Sequence, residues 1–274
     1  MAAQTSEMWG RGRLLAILAS ALGAGLVLLL GLGLFIWQVL QDDTTETDGR
    51  QEPVTSPVAV EEFTLADGGP ARREQIAGAA MLAPQDPRAF RGGPVAPTVL
   101  PPLVIPPAAT TGPVEVPTGY PSTAEGALAQ LAAIDVAVTQ GMSVPATHEI
   151  YQAWSTGEAD PARWVMTGNV TDFLTAAGQS GQQKEAGLVV TAAPVAGQVK
   201  GIDGDDWVLA CVLLELHASL VQEARAAYGH CEAMTWAGDR WLIDTTHQVA
   251  AAPSTWPGTE LAAQAGWRPW SSDH

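Results

Sequence analysis

Trp207-Val-Leu-Ala-Cys-Val-Leu-Leu-Glu-Leu-His-Ala-Ser219 is the stretch that decides the fold. Side chains of a strand point alternately to opposite faces, so Val208, Ala210, Val212, Leu214, Leu216 and Ala218 share one face, and that face is core. The other face carries Trp207, Leu209, Cys211, Leu213, Glu215 and His217, apolar at first and polar later. Before it, Asp203-Gly204-Asp205-Asp206 is a strong turn. Residues 188–191 and 197–202 then read as one long or interrupted strand, with Pro194 at an edge or bulge. After it, 225–236 is the next strand, and a turn centred near Val221 would set Cys211 opposite Cys231. Gly238-Asp239 is a tight hairpin that puts Trp236 opposite Trp241, and 241–244 completes the sheet.

Upstream the period is helical. Ser122-Thr-Ala-Glu125 reads as a capping box, and Leu128, Leu131, Ile134 and Val138 follow at helical spacing to about Gly141. Residues 145–154 read as a second helix, ended by Ser-Thr-Gly. Asp160-Pro161 is an N-cap and a favoured first helical position, opening a third helix or a broken pair with Trp164, Val165, Phe173 and Leu174. Helices first and an antiparallel meander afterwards is an α+β order. A curved sheet whose concave face is covered by the preceding helices is the layout of the nuclear transport factor 2-like, or cystatin-like, cone.

Residues 14–40 hold no charged side chain. As a helix they extend roughly 40 Å, enough to cross a hydrocarbon core of about 30 Å with tilt. Trp9 and Trp37 sit near the two ends of the segment from Leu14 to Leu40, at interfacial positions. Arg11 and Arg13 precede it and Asp42, Asp43, Glu46 and Asp48 follow, which places the N-terminus in the cytoplasm and the rest outside. The apolar core is about twice a secretory signal's and lacks a small-x-small cleavage site, so a retained anchor is expected. The division is then 1–13 cytoplasmic stub, 14–40 transmembrane anchor, 41–121 acidic and Pro-rich linker, 122–250 extracytoplasmic domain, and 251–274 Trp-rich tail.

Within the linker, 71–82 has the composition of a short helix. The Pro-dense stretch that follows favours extended polyproline geometry, and three readings stand for it: docking along the domain's own surface, a free spacer, or a recognition strand for another subunit. In the tail, Thr259 and Glu260 open a short Ala-rich helix, and Trp256, Trp267 and Trp270 are candidate interface residues.

The formal charge of the 274 residues is −16. Such a field repels phosphate backbones, so direct nucleic-acid binding is not expected. Both cysteines fall outside the membrane, where oxidising surroundings favour a Cys211–Cys231 disulfide. Two buried free thiols are one alternative. A metal site with His217 or His230 is another, though it lacks the repeated ligand spacing of zinc motifs.

Several segments belong together: Pro117-Thr-Gly-Tyr-Pro121, Glu125-Gly-Ala-Leu-Ala-Gln-Leu-Ala-Ala-Ile-Asp135, Gly197-Gln-Val-Lys-Gly201, Tyr228-Gly-His-Cys231, Gly238-Asp-Arg-Trp241 and Trp256-Pro-Gly-Thr259. They resemble a family of actinobacterial single-pass membrane proteins of unassigned activity associated with integrative and conjugative elements, over about residues 72–268. More distantly, an N-in anchor before a cone-shaped domain resembles the inner-membrane scaffold subunits of type IV secretion systems, by analogy of topology. The resemblance implies a non-catalytic scaffold with no cofactor, whose partners are other envelope or conjugation-apparatus proteins, with a homo-oligomer as an option.

Signatures for acyl transfer, nucleotide binding and zinc proteolysis are absent from the sequence. If the domain is instead a ligand-binding or enzymatic cone, its candidate pocket residues are Glu215, His217, His230 and Glu232. A histidine and a carboxylate two apart on one strand face can couple as a general acid and base. Asp135, on an otherwise apolar helix face, is expected to hydrogen-bond a neighbouring backbone or Trp side chain. A deep polar pocket reaching Glu215 or His217 would favour this alternative, whereas an interior filled by tryptophan and leucine would favour the scaffold.

Overall fold

The computed structural model describes residues 68–272, positions 159 and 221 excepted. Strands β4 (Val189–Ile202), β5 (Trp207–Ser219) and β6 (Glu223–Trp236) form an antiparallel meander that β7 (Trp241–Ile243) extends on one side. On the other side β4 pairs with β8 (Arg268–Ser272), and β8 pairs in parallel with β1 (Leu103–Ile105). The order across the sheet is β1-β8-β4-β5-β6-β7. A separate two-stranded ribbon joins β2 (Thr110–Thr111) to β3 (Pro117–Thr118). The helices are α1 (Pro70–Gly78), α2 (Ala124–Gly141), α3 (Val144–Trp154), α4 (Val165–Ala176) and α5 (Glu260–Gln264). A strongly curled antiparallel sheet with a few helices against it is a mixed α+β fold and fits the description of a nuclear transport factor 2-like cone.

The meander has the expected register: Cys211 faces Cys231 and Trp236 faces Trp241. The two cysteines form a disulfide, which removes the free-thiol and metal readings of that pair. β4 runs unbroken through Pro194, with register shifts at 194/196 and 199/201. Proline cannot donate to a ladder, and a bulge is where a strand tolerates that.

One helix start differs from expectation, and a second settles an open alternative. Thr123, not Ser122, caps α2, its hydroxyl accepting from the Gly126 N–H at 3.1 Å. The chain turns so tightly there that a Cβ on Gly126 would lie 2.0 Å from the Pro121 carbonyl oxygen. Asp160 caps only a short 3-10 turn, Pro161–Arg163, and α4 begins after Trp164, which gives the broken pair rather than one helix.

Each face of β5 is buried by a different part of the chain. Val208, Ala210, Val212 and Leu214 pack in one core with Leu128, Leu131, Ile134 and Val138 of α2 and with Trp154, Trp164 and Trp241. The opposite face, Trp207, Leu209, Cys211 and Leu213, is also fully buried. Its cover comes from Ile76 and Ala77 of α1, and from Ala262, Ala265 and Trp267 near the C-terminus. At about 1.5–3 kcal/mol per large apolar side chain removed from water, four such residues in a row cannot be left exposed. Close approach is possible because β4 and β6 carry glycine beneath the cover. A Cβ on Gly201 would meet Ile76 at 2.5 Å, and one on Gly229 would meet the Pro253 carbonyl oxygen at 2.7 Å.

Much of the sequence read as linker is therefore packed against the sheet from Pro70 onward. Of the three readings of the Pro-dense stretch, the structure has it lying on the domain itself, where it supplies β1. Pro101 and Pro102 offer only acceptors, and the Arg268 guanidinium donates to both carbonyls at 2.9 and 3.1 Å. α1 is latched at its N-terminus, where the Gly69 N–H and the Arg73 guanidinium both donate to Asp203. Among the described residues no helix is long and apolar enough to cross a membrane. The expected anchor from Leu14 to Leu40, with Trp9 and Trp37, lies outside the described residues.

Candidate functional site

Alternation along β6 sends Tyr228, His230, Glu232 and Met234 toward the helices, while Ala227, Cys231 and Ala233 face the other way. Across from His230 lies α2. Its apolar face includes one acid, Asp135, which has no exposed surface. Asp135 Oδ1 is 2.9 Å from His230 Nδ1. On the other side of the ring, His230 Nε2 lies 3.2 Å from Glu232 Oε1, and that same oxygen accepts the Trp164 indole N–H at 2.7 Å. Asp135 thus bonds a histidine, in place of the backbone or Trp partner expected.

Nδ1 is hydrogen-bonded to Asp135, while Nε2 approaches Glu232 at ion-pair distance without hydrogen-bond geometry, and a carboxylate on each side favours the imidazolium. Burial works against that charge, but Asp135, Tyr228 and Glu232 together outweigh it and hold the His230 pKa well above the ordinary histidine value. Burial raises the Asp135 pKa, with His230 opposing, and Asp135 Oδ2 has no hydrogen-bond partner among the described residues. Desolvated charges persist in an interior only when paired in this way.

Aromatic rings close the cluster. The Tyr228 ring stacks over His230 at 6.1 Å, Trp164 meets His230 edge-on at 6.2 Å, and Tyr151 stacks on Trp164 at 4.7 Å. His230 is 4% exposed. A histidine between two carboxylates has the makings of an acid/base relay, but here it is sealed from solvent.

Glu215 and His217 share the residue types and spacing of that pair but not its place. They lie on the opposite face, toward the turn that joins β5 to β6. Each pairs across to β6, Glu215 with Arg225 and His217 with Glu223 at 3.5 Å. The four candidate pocket residues therefore divide into two pairs on two faces. Among the described residues there is no group of three or more His, Cys, Asp or Glu able to hold a metal ion.

The three tryptophans of the tail also separate. Trp267 is buried, its N–H donating to the Pro253 carbonyl at 3.1 Å. Trp256 is half-buried beneath the Arg225 guanidinium, 5.8 Å from its ring centre. Trp270, half-buried on β8, borders a groove of about 510 Å³ with Tyr120, Pro194 and the Ala-rich outer side of α2. Asp135, Trp164, Tyr228 and Asn169 were missing from the candidate set. An acid on the apolar face of α2 facing a histidine on a core-facing strand position was the available signal, because each needs the other inside.

No protein-family model, curated protein or solved structure matches the chain.

Proposed function

We propose that the chain is a membrane-anchored, non-catalytic scaffold subunit of a conjugation or type IV secretion-like apparatus, with its cone outside the cell membrane and in contact with other envelope proteins. The 14–40 segment is the tether in this reading, and the N-terminus is cytoplasmic. The observation that carries it is the filling of the cone's interior. Trp154, Trp241, Leu128, Leu131, Leu214 and Met166 are each less than 2% exposed, and the polar cluster among them is closed by Trp164 and Tyr228. A cone that turns over a substrate needs a cavity leading to its acid and base. This one places its only interior histidine, among the described residues, behind a stacked aromatic wall. The partner-facing surface in this reading is the groove bordered by Trp270, since a half-buried aromatic in a concave apolar setting is the kind of residue that anchors an interface.

The test is crosslinking in native membranes followed by affinity purification and mass spectrometry, with the tag at the C-terminus. Co-recovery of a conjugation ATPase and other envelope subunits is the expected result, weakened by Trp270→Ala. Recovery of the protein alone, under crosslinking that captures a control complex, would overturn the reading.

A further inference from the structure

A cavity of about 190 Å³ opens between α4 and the sheet, one residue layer outside the buried cluster. Its walls are Met142, Met166, Val170, Phe173 and Leu216, and Tyr228 separates it from His230. An apolar cavity of about 150 Å³ accepts benzene, so this space suits one ring with a short arm. Its polar groups are few and of one kind.

Hydrogens already committed leave acceptors among the residues that line the space. The Thr139 hydroxyl donates to the Asp135 carbonyl at 2.7 Å. The Tyr228 hydroxyl donates toward Met166 Sδ at 3.1 Å and accepts from Asn169 Nδ2 at 2.6 Å. This leaves the carboxamide oxygen of Asn169, which takes no hydrogen bond among the described residues, and the lone pairs of Thr139. Asp172 adds a carboxylate at the rim, and no Lys, Arg or His lines the space. Phe173 and Tyr228 contribute aromatic rings, whose faces attract cations. The cluster behind Tyr228, an imidazolium between two carboxylates, carries a net charge of about −1 when both acids are ionised, which again favours a cation in front of it.

We infer that this cavity is a binding site for a small organic ammonium compound, its single apolar ring or equivalent body held by Met166, Val170 and Phe173 and its N–H groups given to Asn169 and Asp172. The inference is independent of the scaffold role: a scaffold that binds such a compound and one that does not make the same partner contacts.

The experiment is isothermal titration calorimetry on the purified full chain in detergent, with three probes of one shape: phenethylammonium, its neutral analogue ethylbenzene, and the anion phenylacetate. Phenethylammonium should bind at one site per chain, ethylbenzene about tenfold more weakly for want of the charge and its hydrogen bonds, and phenylacetate not measurably. Asn169→Leu should narrow the preference for the ammonium probe severalfold while keeping an unchanged melting profile. Leu216→Trp fills the space and should abolish binding of all three. If Leu216→Trp does not fold, Asn169→Leu alone decides. Absence of phenethylammonium binding would overturn the assignment. So would equal affinity for the charged and neutral probes, or ammonium binding unaltered in every folded variant.

Discussion

His230 and Glu232 on β6, and Glu215 and His217 on β5, are the same two residue types at the same spacing on strands that pair with one another. Their fates are opposite. The first pair lies inside the helix-covered core, in contact with Asp135, Trp164 and Tyr228. The second lies on the other face, where Arg225 and Glu223 answer the charges near solvent. Parity relative to the Cys211–Cys231 pair set the face of each, and position along β5, beyond the buried run that ends at Leu214, left Glu215 and His217 near solvent. What surrounds a charge then sets its energetic weight, since an interior ion pair has no water to fall back on and a surface pair does.

The contrast is broken most strongly at His230. His230→Ala leaves Asp135 and Glu232 buried without their cation and should cost about 3–5 kcal/mol of unfolding free energy in a urea titration. The same residue governs the pH profile. With its pKa raised in the fold, it contributes stability that is present in full below the ordinary histidine value and is lost as pH rises through the folded value. The melting temperature should therefore fall from neutral into alkaline solution. In His230→Ala the fall should move to the acidic range, where the unpaired carboxylates ionise. A melting temperature indifferent to alkaline pH in the parent protein would show that the ring is neutral.

Next in size is the crosslink on the opposite face. Replacing both Cys211 and Cys231 by alanine frees a loop whose ends are 20 residues apart and should cost about 3 kcal/mol by the same titration. Trp164→Phe keeps the stacking on Tyr151 but takes the donor from Glu232, for an expected loss of about 1–3 kcal/mol. Smallest are Glu215→Gln and His217→Gln, each expected to change stability by less than about 1 kcal/mol. A larger loss at either, measured alongside His230→Ala, would mean that the two faces do not differ in the way their burial indicates.

The meander was legible because its patterns are long. Thirteen residues of β5 alternate, Gly204 marks the turn before it and Gly238 the turn after β6, and one register satisfies both the cysteine pair and the apolar faces. α2 was legible for a similar reason, with four apolar positions at helical spacing. Its cap was displaced by one residue because Ser122 and Thr123 offer the same hydroxyl, and only the tight turn at Pro121 distinguishes them. β1 and β8 left no comparable trace: Leu103–Ile105 and Arg268–Ser272, too short to show a period and flanked or interrupted by proline, pair in parallel although some 165 positions separate them. The division of the four pocket candidates was legible in principle. The register that sets 211 opposite 231 already sends 230 and 232 to one face and 215 and 217 to the other.

What the sequence by itself determined is the local and periodic part: strand β5 and its two neighbours, the helices that precede them, and the pairing of the cysteines. These follow from alternation, spacing and turn chemistry within a few dozen residues. Tertiary structure alone decided which distant segments cover the second face of β5, and that Asp135 meets His230. Both are contacts between parts of the chain far apart in sequence. They form because buried apolar area and buried charge must each find a partner, and the pattern of either segment alone does not say which partner it will be.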